Sequence, residues 1–279
     1  MSDRVVYRSN DRLSSITLPE GLTTIEAWTF GGCTSLASVT IPEGVTTIGD
    51  SAFYMCTSLT SITLPETVTT IEGSAFQGCT SLAAINLPKG LTRIERAAFY
   101  RCRALASITI PKGVKTIGEW AFSECTSLAS VAIPEGVTTT EAYAFNGCTW
   151  LVTAVIPRSC AAIHETAFAD CVHLSIAVAP AALEVLHQQQ WQWVPDGSMA
   201  NVFKECPWLP RPDFITPHTP AAVIAANRLE FWTRQTHDLC HPKRREWVFF
   251  VLLVLNRLEL PILVHTVVIG HLKRQELGA

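Results

Sequence analysis

The sequence lacks a long apolar run and a secretory leader. Its longest apolar run, residues 247–255, is followed closely by Arg257, Glu259 and Pro261, whereas a membrane-spanning helix needs about 20 apolar residues. Residues 1–12 carry charges throughout and contain no apolar core of a signal peptide. We therefore expect no membrane span and a cytoplasmic location.

Catalytic and cofactor motifs are also missing. The eight histidines are scattered without a paired nucleophile or carboxylate, and no glycine-rich phosphate loop occurs. His237, Cys240 and His241 lie close enough in sequence to share a zinc ion, but the fourth ligand would have to be a distant residue such as Cys206. We expect no enzyme activity, no catalytic residue, no cofactor and no metal site.

The charge balance excludes another class of protein. The net charge is −3, and neither half of the chain is basic enough to bind nucleic acid through bulk charge. We therefore expect a protein partner and no nucleic acid.

The sequence does contain a repeat with a period of 23 residues. Leucines recur at this spacing, and we count coils from them, so that coil one begins at the first: Leu13, Leu36, Leu59, Leu82, Leu105, Leu128, Leu151 and Leu174. A fixed period between 20 and 50 residues indicates a stacked repeat array.

Two further columns keep the same register and define the predicted core ladder. A phenylalanine follows each of the first seven leucines by 17 residues, and a cysteine follows it by 20. Stacked free thiols are the first interpretation of the cysteines, and disulfides between neighbouring coils remain the alternative. The members are Phe30, Phe53, Phe76, Phe99, Phe122, Phe145 and Phe168 with Cys33, Cys56, Cys79, Cys102, Cys125, Cys148 and Cys171, and an insertion places Phe203 and Cys206 in the eighth coil.

Residues 59–81, LTSITLPETVTTIEGSAFQGCTS, represent one coil. The partly alternating apolar residues up to Leu64 predict a short strand, which Pro65 ends. Val68 and Ile71 predict a second extended segment, and the residues around Phe76 predict a single helical turn. Such a coil buries its apolar face only by stacking on its neighbours.

This pattern, L-x-x-I-x-[IL]-P-x-x-[VL]-T-x-I-x-x-x-A-F-x-x-C, resembles the BspA-like leucine-rich repeat family over residues 13 to about 208. The resemblance implies a curved right-handed solenoid with a parallel sheet on one face, used for protein contact or surface adhesion. Thr29, Thr140, Ala154 and Cys160 depart from the consensus, and we expect their coils to be locally weaker.

We predict four segments: an N-terminal lead-in at residues 1–12, an eight-coil solenoid at 13–208 with an insertion at about 187–199, a proline-rich linker at 209–219, and a helical segment at 220–279. The proline-rich stretch around the linker is not expected to form a strand. The helical segment is expected to cap the solenoid. Residues 260–277 weakly resemble the start of an F-box, which implies recruitment of a ubiquitin-ligase adaptor.

Coils four and five carry the candidate partner-binding residues. The other coils have glutamate at the position of Lys89 and Lys112, apart from Arg158. A solvated charged surface and a site for an acidic partner both remain open. The set is Lys89, Arg93, Arg96, Arg101, Arg103, Lys112 and Lys115, which we call the basic belt.

Aromatic residues stand near this belt in the variable turn, where they either pack half-buried or act as anchors for a partner: Trp28, Tyr54, Tyr100, Trp120 and Tyr143. The outward strand positions, in contrast, carry small neutral residues such as Ser38 and Thr40, which make a poor anchor surface. We expect a non-catalytic interaction scaffold. The alternatives are a substrate-recognition subunit of a ubiquitin ligase and a surface or membrane-tethered adhesin.

Overall fold

The computed structural model describes residues 7–174, 176–179, 184–186 and 215–217, which form a solenoid of short parallel strands. The predicted repeat solenoid is confirmed. The chain divides into two compact units, Met1–Asn227 and Arg228–Ala279, and every described residue belongs to the first.

The first strand of a coil lies just before the proline, and coil five alone among the described coils has no strand there. These strands stack in the order β1-β3, β5-β7 and β10-β12-β14-β16, and a bridge from Thr40 to Thr63 links the first two groups. The strands are β1 (Ser15–Thr17), β3 (Ser38–Thr40), β5 (Ser61–Ile62), β7 (Ala84–Ile85), β10 (Ser130–Ala132), β12 (Thr153–Val155), β14 (Ile176–Ala179) and β16 (Ile215–Pro217).

The second strand of each coil lies after the proline corner and forms a second side. Here the stacking orders are β2-β4-β6 and β8-β9-β11-β13-β15. The strands are β2 (Thr24–Ile25), β4 (Thr47–Ile48), β6 (Thr70–Ile71), β8 (Arg93–Ile94), β9 (Thr116–Ile117), β11 (Thr139–Thr140), β13 (Ala162–His164) and β15 (Glu184–Leu186).

The strand pairs keep the register that the sequence period predicts. Ser15 pairs with Ser38, and Thr24 pairs with Thr47, one period further on. The second strand of coil eight deviates, because Ala162 pairs with Glu184 and not with the next residue. The segment between the two strands is therefore one residue shorter in coil eight than in coil seven.

The third side of each coil, which we call the turn segment, differs from the prediction. No helix occurs among the described residues, so the predicted helical turn is wrong. Ser51 and Met55 have left-handed φ angles of 54° and 55°, which an α-helix cannot contain. Phe53 N–H donates to the carbonyl of Ala75 in the next coil at 2.8 Å, whereas Tyr54 N–H bonds within its own coil. Backbone groups that a helix would pair internally therefore link neighbouring coils.

The phenylalanine column occupies the centre of the solenoid. Consecutive rings stack with centroids between 5.1 and 5.5 Å apart, and each side chain is buried. Offset stacking of this kind adds to the free energy of burial. The stacked residues are Phe30, Phe53, Phe76, Phe99, Phe122, Phe145 and Phe168.

The cysteine column supplies hydrogen-bond donors to this core. The thiol of Cys79 donates to the carbonyl of Phe53 in the preceding coil at 3.1 Å, and the same carbonyl accepts the N–H of Cys56 at 3.2 Å. A small side chain with one donor thus satisfies a buried carbonyl in each coil. The described cysteines are all buried free thiols: Cys33, Cys56, Cys79, Cys102, Cys125, Cys148, Cys160 and Cys171.

Residues 7–12 continue the repeat, where the sequence pattern predicts a lead-in. Tyr7 stacks on Phe30 with centroids 5.3 Å apart, and its carbonyl accepts the thiol of Cys33 at 3.0 Å. Asn10 N–H donates to the Tyr7 carbonyl, as each cysteine N–H does to its phenylalanine. Tyr7 and Asn10 precede Phe30 and Cys33 by one period, so the register itself contained this signal.

The proline-rich stretch contains a strand, which the sequence pattern did not predict. β16 pairs in parallel with β14, with Thr216 opposite Val178. β16 is the edge strand of the described sheet, where the missing N–H donor of Pro217 is tolerated. The expectation that this stretch forms no strand is therefore wrong.

Other predictions fall outside the described residues. They concern the insertion at about 187–199, the ladder positions Phe203 and Cys206, the helical segment at 220–279 and the F-box resemblance at 260–277. Within the described part of the chain, no helix has the length and apolar character needed to cross a bilayer.

Candidate functional site

The three lysines of the basic belt lie around the proline corners of coils four and five. Lys89 and Lys112 occupy equivalent corner positions in adjacent coils, and Lys115 stands just before β9. All three side chains are exposed, and none forms an ion pair within the described residues. We call these three residues the lysine corner.

The arginines of the basic belt, in contrast, are paired with glutamates. Arg93 contacts Glu95 at 3.2 Å and Glu141 at 3.3 Å. Arg96 contacts Glu119 one coil further on at 3.0 Å. The belt is therefore divided into unpaired lysines on one side and an arginine–glutamate network on the other.

Glu124 is the centre of the largest group in this network. Its carboxylate accepts hydrogen bonds from Nε and Nη2 of Arg101, at 3.0 and 3.1 Å, and from Nη2 of Arg103 at 3.3 Å. The hydroxyl of Tyr100 also donates to it at 3.0 Å. Partial burial opposes ionisation, but the hydrogen bonds from Arg101, Tyr100 and Arg103 outweigh it and lower the pKa of Glu124. Glu124 therefore stays ionised and holds both arginines.

The guanidinium groups lie further out than the carboxylates they bind. The exposed fractions are 49% for Arg101 and 55% for Arg103, against 29% for Glu124. Arg96 is 72% exposed and its partner Glu119 is 38% exposed. A partner approaching this surface meets arginine first.

The aromatic residues of the turn segment form two groups. Trp28 packs against Tyr54 with centroids 5.1 Å apart, and Arg8 lies over the Trp28 ring at 4.5 Å. In coils four to six, Trp120 stacks on Tyr143 at 4.2 Å and meets the ring of Tyr100 edge-on at 6.1 Å. All five rings are partly buried. Each ring therefore packs against its neighbours and still exposes part of its surface.

We call the surface of the second group the turn face. It consists of the aromatic residues and arginines that the turn segments of coils four to six bring together: Arg96, Tyr100, Arg101, Arg103, Trp120 and Tyr143. Arg101 also lies over the Tyr100 ring at 4.9 Å.

The acidic partners of the arginines were missed at the sequence level. Arg96 and Glu119 are 23 residues apart, and so are Arg101 and Glu124. In a repeat of this period, such residues occupy the same position in adjacent coils. Opposite charges separated by one period were therefore the signal that predicts these pairs.

The described residues offer no reactive thiol and no metal cluster. Burial raises the pKa of Cys56 and Cys148 to about 12, so these thiols stay protonated and are poor nucleophiles at neutral pH. No group of three metal-ligating side chains occurs within the part of the chain that the structure describes. His237, Cys240 and His241 lie outside that part.

Comparison with known proteins identifies the family to which the repeat is similar. The family model of the BspA type leucine rich repeat region matches residues 3–104 and 48–175, in six copies. A leucine-rich repeat protein from Bacteroides ovatus is 27% identical with a TM-score of 0.60, and the match covers 66% of this chain and 48% of that one. One from Eubacterium ventriosum is 28% identical with a TM-score of 0.57, covering 65% and 49%.

This chain thus spans about half the length of these solved structures. No curated protein matches the sequence. The family model nevertheless spans more than half of the chain, and the solved structures share the fold. The chain belongs to the BspA-type leucine-rich repeat family.

Proposed function

We propose that this protein is a non-catalytic interaction module that contacts an acidic protein surface through its lysine corner. The observation that carries the proposal is a local reversal of charge. Three coils before the corner have glutamate at the position where Lys89 and Lys112 stand. The change from glutamate to lysine in two adjacent coils concentrates positive charge on one edge.

The lysines remain available to a partner because the solenoid uses only their backbones. Lys89 N–H donates to the Glu66 carboxylate at 3.3 Å, while its ammonium group forms no ion pair within the described residues. Complementary charge of this kind raises association rates and selects among partners. It adds no reactive group, which agrees with a binding role and not with catalysis.

Charge reversal tests the proposal. We compare the partners captured by the wild type with those captured by Lys89→Glu/Lys112→Glu/Lys115→Glu, using quantitative mass spectrometry. The expected result is loss of a specific partner from the triple variant. The control is Thr23→Glu/Thr69→Glu, which adds negative charge at exposed positions equivalent to Lys115 in coils one and three. An unchanged partner list in the triple variant would refute the proposal.

A cytosolic location is the second part of the proposal. Eight buried free thiols suit a reducing compartment. Thiol titration of the denatured protein, purified without reductant, tests this. We expect nearly all cysteines to titrate, and fewer than about six free thiols would contradict the proposed compartment. The adhesin and ligase-subunit alternatives stay predictions.

A further inference from the structure

The turn face combines features that seldom occur together on a solvated surface. It presents three arginines, two tyrosines and one tryptophan from adjacent coils. Trp, Tyr and Arg are the residues on which binding energy concentrates in protein interfaces. The small residues of the strand faces offer no comparable anchors.

The charged groups of the turn face are held in fixed positions. Arg101 binds Glu124 through two nitrogens of one guanidinium and also lies over the Tyr100 ring. The indole N–H of Trp120 donates to the Glu119 carboxylate at 2.9 Å. The Glu119 carboxylate also accepts a hydrogen bond from Nε of Arg96 at 3.0 Å. Because these contacts restrict the side chains before binding, a partner bears less of the entropy cost of ordering them.

The charge of the turn face specifies the partner. Arg101 and Arg103 share the single carboxylate of Glu124, which leaves an excess of one positive charge. Arg103 uses only Nη2 in this pair, so its other guanidinium nitrogens remain for an incoming anion. Guanidinium groups bind carboxylates in a defined planar geometry.

We propose that the turn face is a docking site for an acidic peptide segment of a partner protein. A carboxylate of the peptide binds the guanidinium nitrogens of Arg103 that Glu124 does not use, and a second one binds Arg96. The partly buried rings of Tyr100 and Trp120, which belong to the same turn segments, contact an apolar side chain of the peptide. The inference rests on the proposed interaction role but uses a different surface from the lysine corner.

Peptide selection tests this proposal. A phage library of random 12-residue peptides is selected on the immobilised full chain, and the enriched peptides are measured by fluorescence anisotropy. We expect enrichment of peptides with two acidic residues flanking an apolar one. Their affinity is expected to fall about tenfold or more in Arg96→Gln/Arg103→Gln. Both arginines are exposed, so the fold is retained, which circular dichroism verifies.

The control variant is Arg8→Gln, which removes an arginine that lies over Trp28 in the other aromatic group. It is expected to bind the peptides like the wild type. The proposal is overturned if no peptide is enriched, if the enriched peptides lack acidic residues, or if Arg96→Gln/Arg103→Gln binds them unchanged. Equal displacement of the peptide by dextran sulfate would also overturn it, because the surface would then attract any polyanion.

The triple lysine variant separates the two proposals. If it retains the selected peptides but loses the captured partner, the lysine corner and the turn face are independent surfaces, as proposed. If it loses the peptides while the arginine variant retains them, the peptide binds at the lysine corner and the turn-face proposal fails alone. If it captures the wild-type partner list while the peptide results hold, the proposed function of the lysine corner fails alone.

Discussion

Two buried threonines in the core differ in the hydrogen bonding of their side-chain hydroxyls. Thr29 is 5% exposed, and its hydroxyl donates to the carbonyl of Glu26 at 2.7 Å. Thr140 is fully buried, and within the described residues its hydroxyl forms no hydrogen bond of regular geometry, with the Cys160 thiol as the polar group beside it. An unsatisfied buried hydroxyl reduces stability. The sequence marked both as departures from the repeat, but only the structure separates them.

Replacing Thr140 with valine should stabilise the protein. Thr140→Val removes the unpaired hydroxyl at almost constant volume, and we expect the free energy of unfolding to rise by about 1 kcal/mol. Thr29→Val is the matched control, because it loses a formed hydrogen bond and should lower the free energy of unfolding by about 1 kcal/mol. Urea denaturation of both variants measures this. Stabilisation by both substitutions, or by neither, would contradict the assignment.

The basic belt illustrates what sequence predicts at the scale of residues. The sequence predicts all seven cations as one candidate set because they stand out from a regular repeat. Their separation into two surfaces was not predicted, because pairing depends on which carboxylate a long side chain reaches. Arg93, for example, contacts Glu141 at a separation of 48 residues, which spans two coils.

At the scale of elements, the cysteine column makes stability depend on pH. Burial raises the pKa of Cys148 to about 12, whereas an unfolded thiol ionises near pH 8.5. Below that pH both states are protonated and the stability is at its full value. As the pH rises above it, only the unfolded state loses a proton, so the free energy of unfolding falls by up to about 1.4 kcal/mol per pH unit for each such thiol.

Cys148→Ala tests this dependence. At pH 8 the variant should be about 1 kcal/mol less stable, because the Phe122 carbonyl loses its thiol donor. Between pH 8 and pH 10 it should lose less stability than the wild type, because it has one ionisable thiol fewer. Equal losses over this range would show that Cys148 does not titrate as described.

Gly118 permits a close approach between coils four and five. A Cβ atom there would lie 2.9 Å from the backbone nitrogen of Arg96 and from the carbonyl oxygen of Ile94. We expect Gly118→Ala to lower the free energy of unfolding by about 1–3 kcal/mol. Gly90→Ala is the control, because its nearest neighbour is the side chain of Thr69 at 3.3 Å. Thermal denaturation compares them, and equal effects would argue against the close approach.

The strands were more predictable than the turn segments. Apolar spacing and proline positions locate the strands of the described coils, apart from the first strand of coil five, which does not form. The agreement is this close because burial and the missing proline donor act locally. The turn segment was predicted as a helical turn although one of its two left-handed positions is marked in the sequence: glycine stands at the position of Met55 in three other coils, at Gly32, Gly78 and Gly147. The other position, that of Ser51, carries no glycine in any described coil. Hydrogen bonds to the next coil favour that backbone, and these bonds exist only in the stacked molecule.

At the scale of the whole molecule, the solenoid is the scaffold that carries one proposed functional region. The period specifies the stacking because each coil buries its apolar face only against its neighbours. Coils four and five differ from the rest in their concentration of lysine and arginine, and both proposed surfaces lie in coils four to six. Partner contact should therefore be confined to those coils.

Site-specific photo-crosslinking tests this confinement most directly. A benzophenone amino acid replaces Lys112 on the lysine corner, Arg103 on the turn face or Thr40 on the exposed strand face of coil two, and the adducts are identified by mass spectrometry. We expect partner adducts from positions 112 and 103 and none from position 40. Adducts from position 40 without any from positions 112 and 103 would contradict this expectation, because the partner would then bind the strand face.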